Sequence, residues 1–198
     1  GFTVAPLSPS AFTLADDFTV PANIVGWRID QVKLFAYQTG SSTTPTITSA
    51  RLRIWNGPPA LGTSSVVWGD LTTNLPFTAT FSNIYRALST TPTNNTRPIM
   101  KVAVNVGVAF VPGPYWIEYS LSGSLASGPF TPPVSIAGTQ VTGNAAQSTT
   151  TSGVTTWAQA VSGAPTQYAQ GIPFELCGDA AVFGGGIELI ARNGAVIT

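Results

Sequence analysis

The sequence contains no histidine, one cysteine and only 8% charged residues in a chain of 198 residues. Without histidine there is no serine–histidine or cysteine–histidine pair for hydrolysis and no histidine ligand for zinc or haem. One cysteine cannot form a disulfide within the chain, and a zinc site needs several ligands. Eight basic residues balance eight acidic ones, so we expect no basic surface for nucleic acid or for an anionic membrane.

Long apolar runs are also missing, since no segment approaches the roughly 18 residues of a membrane-spanning helix. Small hydroxyl side chains are abundant instead, with 27 threonines and 17 serines. The 43% of hydrophobic residues and 10% of aromatic residues can fill a core, which argues against disorder. The length is typical of one domain. We therefore expect one folded domain whose surface consists of hydroxyls, amides and backbone groups rather than ions.

The composition favours a protein that works outside the cell or at its surface. Lysine is scarce, threonine and serine are abundant, and the chain begins with Gly1 rather than methionine. The simplest interpretation is a mature chain from which a signal peptide has been removed.

Short segments rich in β-branched and aromatic residues alternate with proline-containing turns, which is typical of a β-sandwich. Residues 51–55 alternate cleanly, with Leu52 and Ile54 on the inner face. Segments 101–110 and 115–121 alternate in the same way. These patterns predict an all-β fold, an antiparallel and jelly-roll-like β-sandwich with strand-like N- and C-terminal extensions.

Two further patterns refine this prediction. In residues 27–35 the apolar alternation changes phase near Asp30, which predicts a β-bulge there. Residues 122–170 are rich in serine, glycine, threonine and proline, and we interpret them as loops and edge strands of the same domain. The predicted units are an N-terminal extension (1–13), the sandwich (14–178) and a C-terminal extension (179–198).

Several motifs occur in a characteristic order along the chain. They include LADDFTVP (14–21), RLRIWNGPP (51–59), FSNIYRALSTT (81–91) and PGPYWIEYSLSGSLASGPFTPPVSIAG (112–138). This succession resembles a family of secreted bacterial β-sandwich domains found in proteins with C-terminal cell-surface sorting signals. The resemblance covers roughly residues 14–176. It implies a jelly-roll-like fold and an exported protein, but no catalytic residue, and the segment from Cys177 onward departs from it.

Both ends of the chain carry apolar, strand-like segments. The triple glycine 184–186 is followed by IELIARNGAVIT, in which Asn193-Gly194 is a strong hairpin signal. An apolar strand on a glycine hinge suits addition to a sheet of a neighbouring copy, and head-to-tail contacts of this kind propagate as filaments. The alternative is a tail that folds back on its own domain as a hairpin.

We therefore predict a non-catalytic structural protein that self-assembles into a fibre or surface layer by strand donation. The residues predicted to make the contact are Phe2, Val4, Ile187, Leu189, Ala191, Val196 and Ile197.

A second hypothesis is a carbohydrate-binding or adhesive module. Trp116 and Trp157 are the candidates for stacking on sugar rings, because strand phase or a polar loop leaves each of them exposed. A third hypothesis is a glycoside hydrolase, which needs two carboxylates across a cleft. Glu118, on a strand face expected to be exposed, and Glu175 are the candidates for that pair.

The remaining candidates are an ion site and the single thiol. Asp16 and Asp17 at the start of a strand are weak calcium candidates, since calcium takes oxygen ligands. Capping of a turn is the competing interpretation of the pair. Cys177 is expected to be a small buried residue, and an intermolecular disulfide is the alternative.

Overall fold

The computed structural model describes residues 1–6, 10–87, 90–134, 143–161, 163 and 167–181. Every regular element in these ranges is a β-strand, and the strands are numbered β1 to β12 in chain order. None of this described portion forms a helix of the length and hydropathy needed to span a bilayer.

Six strands form the larger sheet, and each neighbouring pair in it is antiparallel. From one edge to the other they are β11 (Val154–Gln159), β10 (Ala146–Thr151), β2 (Ser10–Val20), β8 (Gly113–Gly123), β4 (Ile47–Trp55) and β5 (Val66–Asp70).

Four strands form the smaller sheet, which is antiparallel as well. Their order is β12 (Phe174–Ala180), β3 (Trp27–Ala36), β7 (Pro98–Phe110) and β6 (Phe77–Tyr85). A short third pair joins β1 (Phe2–Thr3) to β9 (Phe130–Thr131). The chain passes repeatedly between the two larger sheets, and the prediction of an antiparallel β-sandwich is confirmed.

The core lies between the two sheets and follows the alternation expected from the sequence. Leu52 and Ile54 of β4 are fully buried, and so are Val102 and Val104 of β7 on the facing sheet. Tyr119 of β8 is fully buried too, and its hydroxyl shares a 2.8 Å hydrogen bond with the Thr131 hydroxyl. Apolar side chains at every second position thus hold the two sheets together.

The bulge predicted near Asp30 is confirmed. The pairing of β3 with β7 shifts register between Ile29 and Gln31. The pairing of β3 with β12 shifts at the same level, between Cys177 and Gly178. Relative to β12 the extra residue is Asp30 of β3, which accounts for the phase change in the sequence, whereas relative to β7 two residues of β7 lie opposite Asp30.

The sequence did not predict β10 as a strand. Its residues, AQSTTT, are polar and lack apolar alternation. Threonine nevertheless favours extended backbone, because its branched side chain packs well on a pleated surface. Pairing with β2 on one side and β11 on the other stabilises β10 as a strand, although its composition does not predict one.

The N-terminal residues belong to the chain's own sandwich. Phe2 pairs with Thr131. Val4 is fully buried, its N–H donates to the carbonyl of Pro129 at 3.1 Å, and its carbonyl accepts from the Leu121 N–H at 2.7 Å. Residues 10–13, assigned to the N-terminal extension by sequence, form the start of β2. The C-terminal candidates Ile187, Leu189, Ala191, Val196 and Ile197 lie outside the described residues.

Candidate functional site

The β10–β11 hairpin forms one edge of the larger sheet. Its two strands pair over six positions without a bulge. They are joined by Ser152 and Gly153, whose φ angles are 52° and 80°. Positive φ at both central residues is the signature of a type I′ turn, which matches the twist of the flanking strands. The run TTTSGVTT, with threonines on both sides of a serine–glycine pair, carried this signal in the sequence.

Within the described part of the chain no strand pairs with the outer edge of β11, so its backbone groups there are unpaired. In a two-residue hairpin the closing pair, here Thr151 and Val154, exchanges both hydrogen bonds, and pairs then alternate along the ladder. Just beyond β11 the Ala160 N–H donates to the carbonyl of Ala145 at 2.8 Å, which confirms that the even-numbered residues direct their backbone groups toward β10. The residues whose backbone groups point to the free edge are therefore Thr155, Trp157 and Gln159.

No charge protects this edge. Neither β10 nor β11 contains an acidic or basic residue, and five of the six β11 side chains are exposed. Val154 at the hairpin tip is 65% exposed. Natural proteins usually block edge strands with charged side chains, prolines or bulges, because an open edge pairs with other chains. By these criteria β11 is an unprotected edge.

The three other edges of the two larger sheets each carry a charged residue or a break in strand register. The edge strand β12 has Glu175 and Asp179. The edge strand β5 ends in Asp70, and its pairing with β4 is irregular. The edge strand β6 loses its register between Phe81 and Tyr85, around the positive φ of Asn83. Among the described strands, β11 is thus the edge best suited to accept another strand.

A buried carboxylate lies on the outer face of the same sheet. Glu118 Oε1 accepts hydrogen bonds from Thr13 Oγ1 at 2.8 Å and from Arg53 Nη2 at 3.1 Å. Its Oε2 accepts from Arg53 Nε and from Trp55 Nε1, both at 2.7 Å. The Arg53 guanidinium also lies over the Trp55 ring, 4.7 Å from its centroid. Three strands are therefore tied together around one charge-paired group.

The expectation that Trp116 and Glu118 are exposed is wrong. Trp116 is 7% exposed and Glu118 is 1% exposed, although both point away from the core between the sheets. The alternation of apolar residues correctly predicted which face of the sheet they occupy. It could not show that side chains from the neighbouring strands, such as Arg53 and Trp55, cover Glu118 on that face. Trp157 of β11 is half-buried. Because Trp116 is covered, the structure shows no pair of exposed tryptophans for stacking on a sugar, and glycan binding through these residues stays a prediction.

The two carboxylates proposed for hydrolysis are not brought together. Glu118 lies on the outer face of the larger sheet, whereas Glu175 of β12 lies on the outer face of the smaller one. Glu175 there pairs with Lys33 at 3.2 Å. The core of the sandwich separates them, so they cannot flank one glycosidic bond.

The calcium candidates Asp16 and Asp17 follow one another in β2, so their side chains leave opposite faces of the sheet. The Asp16 carboxylate is buried and accepts the Ile172 N–H at 2.8 Å and the Asp17 N–H at 3.0 Å. Among the described residues no cluster of three or more acidic or thiol side chains exists. The geometry gives Asp16 a structural role in holding residue 172, and it does not bring the two carboxylates to one ion.

Asp16 should make stability depend on pH in a defined direction. Burial raises the pKa of its carboxyl above the ordinary value of 3.8, although the two N–H bonds lower it. The folded state then holds this proton more tightly than the unfolded state. The free energy of unfolding consequently falls as the pH rises from 3.8 through the folded-state pKa.

The Asp16→Asn variant removes this titration and keeps an oxygen that can accept the Ile172 N–H. We expect its free energy of unfolding, relative to the wild type, to increase between pH 4 and pH 7. Urea unfolding at several pH values measures the difference. A difference that stays flat or decreases over this range would show that the folded-state pKa is not raised.

Cys177 lies half-buried in β12 and is not part of a disulfide. It pairs with Gln31 across the sheet, next to the bulge. Its expected role as a small packing residue and the alternative of an intermolecular disulfide both stay predictions.

Comparison of the chain with models of protein families, with curated proteins and with solved structures finds no match. The function proposed below therefore depends on the residues of this chain alone.

Proposed function

We propose that this chain is an extracellular structural protein that assembles with copies of itself by β-strand addition, with β11 as the accepting edge. The observation that supports this most strongly is the open edge of β11, which has neither charge, proline nor bulge. Strand addition satisfies the unpaired N–H and C=O groups of such an edge, and these main-chain hydrogen bonds supply affinity.

Exposure of the hairpin supports the same proposal. Val154 at 65% exposed shows that this part of the sheet extends beyond the core. The strand β11 buries little surface against its own domain, since five of its six side chains are exposed. A second chain laid along it would bury apolar and threonine side chains that are otherwise in water.

The donor in this proposal is the C-terminal segment of a neighbouring copy. In an extended conformation its sequence IELIAR would place three apolar residues on one face and Glu188, Ile190 and Arg192 on the other, and its six positions equal the length of β11. Each copy then offers one donor and one acceptor at different places. Contacts of this heterologous kind do not close on themselves and lead to filaments or layers.

The first experiment tests the donor. Deletion of residues 184–198 should leave a folded monomer, whereas the full chain forms assemblies larger than 20.5 kDa. Light scattering with electron microscopy measures the difference. Unchanged assembly in the truncated protein would exclude the C-terminal segment as the connector.

The second experiment tests the acceptor. Thr155→Pro removes an N–H that points to the free edge and leaves the β10 pairing intact, while Thr156→Lys adds a charge to the strand. We expect both variants to be monomeric. Thr63→Lys, on an exposed loop, is the matched control and should assemble normally. Assembly of the edge variants at wild-type level would exclude β11, and a monomeric full chain would contradict the proposed function itself.

A further inference from the structure

A cavity of about 270 Å³ lies beside the segments that follow β3 and β6 and precede β7. Arg86 directly follows β6, Arg97 directly precedes β7, and both line the cavity. They are held side by side because the backbone N–H of Arg86 donates to the backbone carbonyl of Arg97 at 2.9 Å. The other residues in its wall are Gly1, Tyr37, Thr39, Ser127 and Phe130. None of them is acidic.

Neither arginine has an ion-pair partner among the described residues. The three ion pairs found there use Arg28, Lys33 and Arg53 instead. Two guanidinium groups therefore share a cavity in which none of the described residues supplies a carboxylate to balance them. In a chain with 8% charged residues, two neighbouring arginines without an ion-pair partner among the described residues are a local concentration of positive charge.

Part of each guanidinium is also without a hydrogen-bond acceptor. Arg97 Nε donates to Thr39 Oγ1 at 3.3 Å, and Arg86 Nη1 donates to the carbonyl of Ala87. Arg86 Nε and Arg97 Nη1, by contrast, are buried from solvent and have no partner. A buried charged donor without an acceptor costs free energy, and a bound water or ion is one of the ways in which proteins satisfy such a group.

The rest of the wall is suited to a polar ligand with an anionic end. Tyr37, Thr39 and Ser127 supply hydroxyl groups, and the Phe130 ring packs against Tyr37 at 5.5 Å between centroids. Burial raises the pKa of Tyr37 although the two arginines lower it, and a phenol of ordinary pKa 10 already holds its proton at neutral pH, so its hydroxyl can donate. The volume is several times the roughly 30 Å³ share of one water molecule.

We propose that this cavity is a binding site for an oxyanion, the carboxylate, sulfate or phosphate of a small hydroxylated ligand, with Arg86 and Arg97 as its charged donors. Planar guanidinium groups bind such oxygens through paired, charge-assisted hydrogen bonds. An oxyanion between the two guanidinium groups would balance their charge and accept hydrogen bonds from them. The site is independent of the β11 edge and of strand addition.

Isothermal titration calorimetry on the full chain tests the site whether or not the protein is assembled. The probes are sodium glucuronate, sodium sulfate and sodium phosphate at constant ionic strength, with glucose and sodium chloride as controls. We expect saturable binding of at least one oxyanion with one site per chain, and neither control should bind. The oxyanion that binds most tightly identifies which of the three sources the site prefers.

Two variants connect the binding to the arginines. Arg86→Gln and Arg97→Gln should each weaken it by about tenfold, as expected for loss of a charged hydrogen bond. Arg28→Gln changes an exposed arginine that is paired with Asp30, and it should bind like the wild type. Binding that equals the chloride control, or that survives in both cavity variants, would overturn the proposal.

A measurement on the unchanged protein keeps the test valid if a variant fails to fold. Phenylglyoxal modifies accessible arginines, and mass spectrometry reports the extent at each one. The bound oxyanion should reduce modification of Arg86 and Arg97 and leave that of Arg28 unchanged. Equal modification with and without the oxyanion would overturn the proposal as well.

Discussion

Replacement of Glu118 by glutamine is expected to lower the free energy of unfolding by about 3–5 kcal/mol, the range found when one partner of a buried ion pair is removed. The Glu118 side chain is 1% exposed and the Arg53 side chain 26% exposed. Glutamine has nearly the same volume, so the loss would come from the charge and the hydrogen bonds rather than from a void. Its amide N–H₂ would also face the Arg53 guanidinium, which can only donate.

Urea unfolding of both proteins measures this effect, and Glu175→Gln is the matched control. Glu175 pairs with Lys33 at 3.2 Å, but the two side chains are 50% and 25% exposed. Exposed pairs contribute about 0–1 kcal/mol. If the two variants lost equal stability, the burial of Glu118 would not be what makes its ion pair important.

Gly178→Ala is expected to lower the free energy of unfolding by about 3 kcal/mol, at the upper end of the usual cost of overpacking. A Cβ at this position would overlap the carbonyl oxygen of Arg28 and lie 3.0 Å from the Cα of Ile29. Backbone atoms cannot rotate away as a side chain can. The strand β12 would have to separate from β3 at the bulge.

Gly62→Ala is the control for this prediction, since a Cβ there meets nothing within 4 Å. It should change stability by no more than about 0.5 kcal/mol. Thermal unfolding followed by circular dichroism compares both variants with the wild type. A Gly178→Ala protein as stable as the control would mean that β12 adapts to the bulge without loss.

The sequence predicted the parts of the fold that depend on local alternation. Leu52 and Ile54 point to the core as expected, and the phase change at Asp30 is a real bulge. These features can be read from a few consecutive residues, because every second side chain of a strand points to the same face of the sheet. Gly178, which lies opposite the same bulge, could not be identified in this way, because its role depends on the distance to another strand.

The burial of Glu118 shows what alternation could not reveal. A glutamate between Ile117 and Tyr119 is predicted to lie on the outer face of the strand, and we therefore expected it to be exposed to solvent. Arg53 and Trp55 come from a strand more than 60 residues away, as the sequence separations of 65 and 63 show. Only the pairing of β4 with β8 brings them over the carboxylate.

The candidate site was predicted only in part. Low charge and strand-like tails in the sequence led to the hypothesis of strand addition, but the accepting edge was not identified. That edge depends on β10, whose polar residues gave no apolar alternation. The cavity with Arg86 and Arg97 was not identified from the sequence either. The two residues lie at opposite ends of the connection between β6 and β7, and only the pairing of these strands shows that they are neighbours.

The position of β8 between β2 and β4 has a consequence for how the chain folds. These three strands are neighbours in the sheet, yet β8 follows the other two in sequence by more than 50 residues. Neither β2 nor β4 can complete its pairing until residues 113–123 are available. Such non-local pairing slows folding and leaves early strands open to association with other chains. Folding of this sandwich is therefore expected to be slow, with β8 as the strand that joins β2 to β4 in the larger sheet.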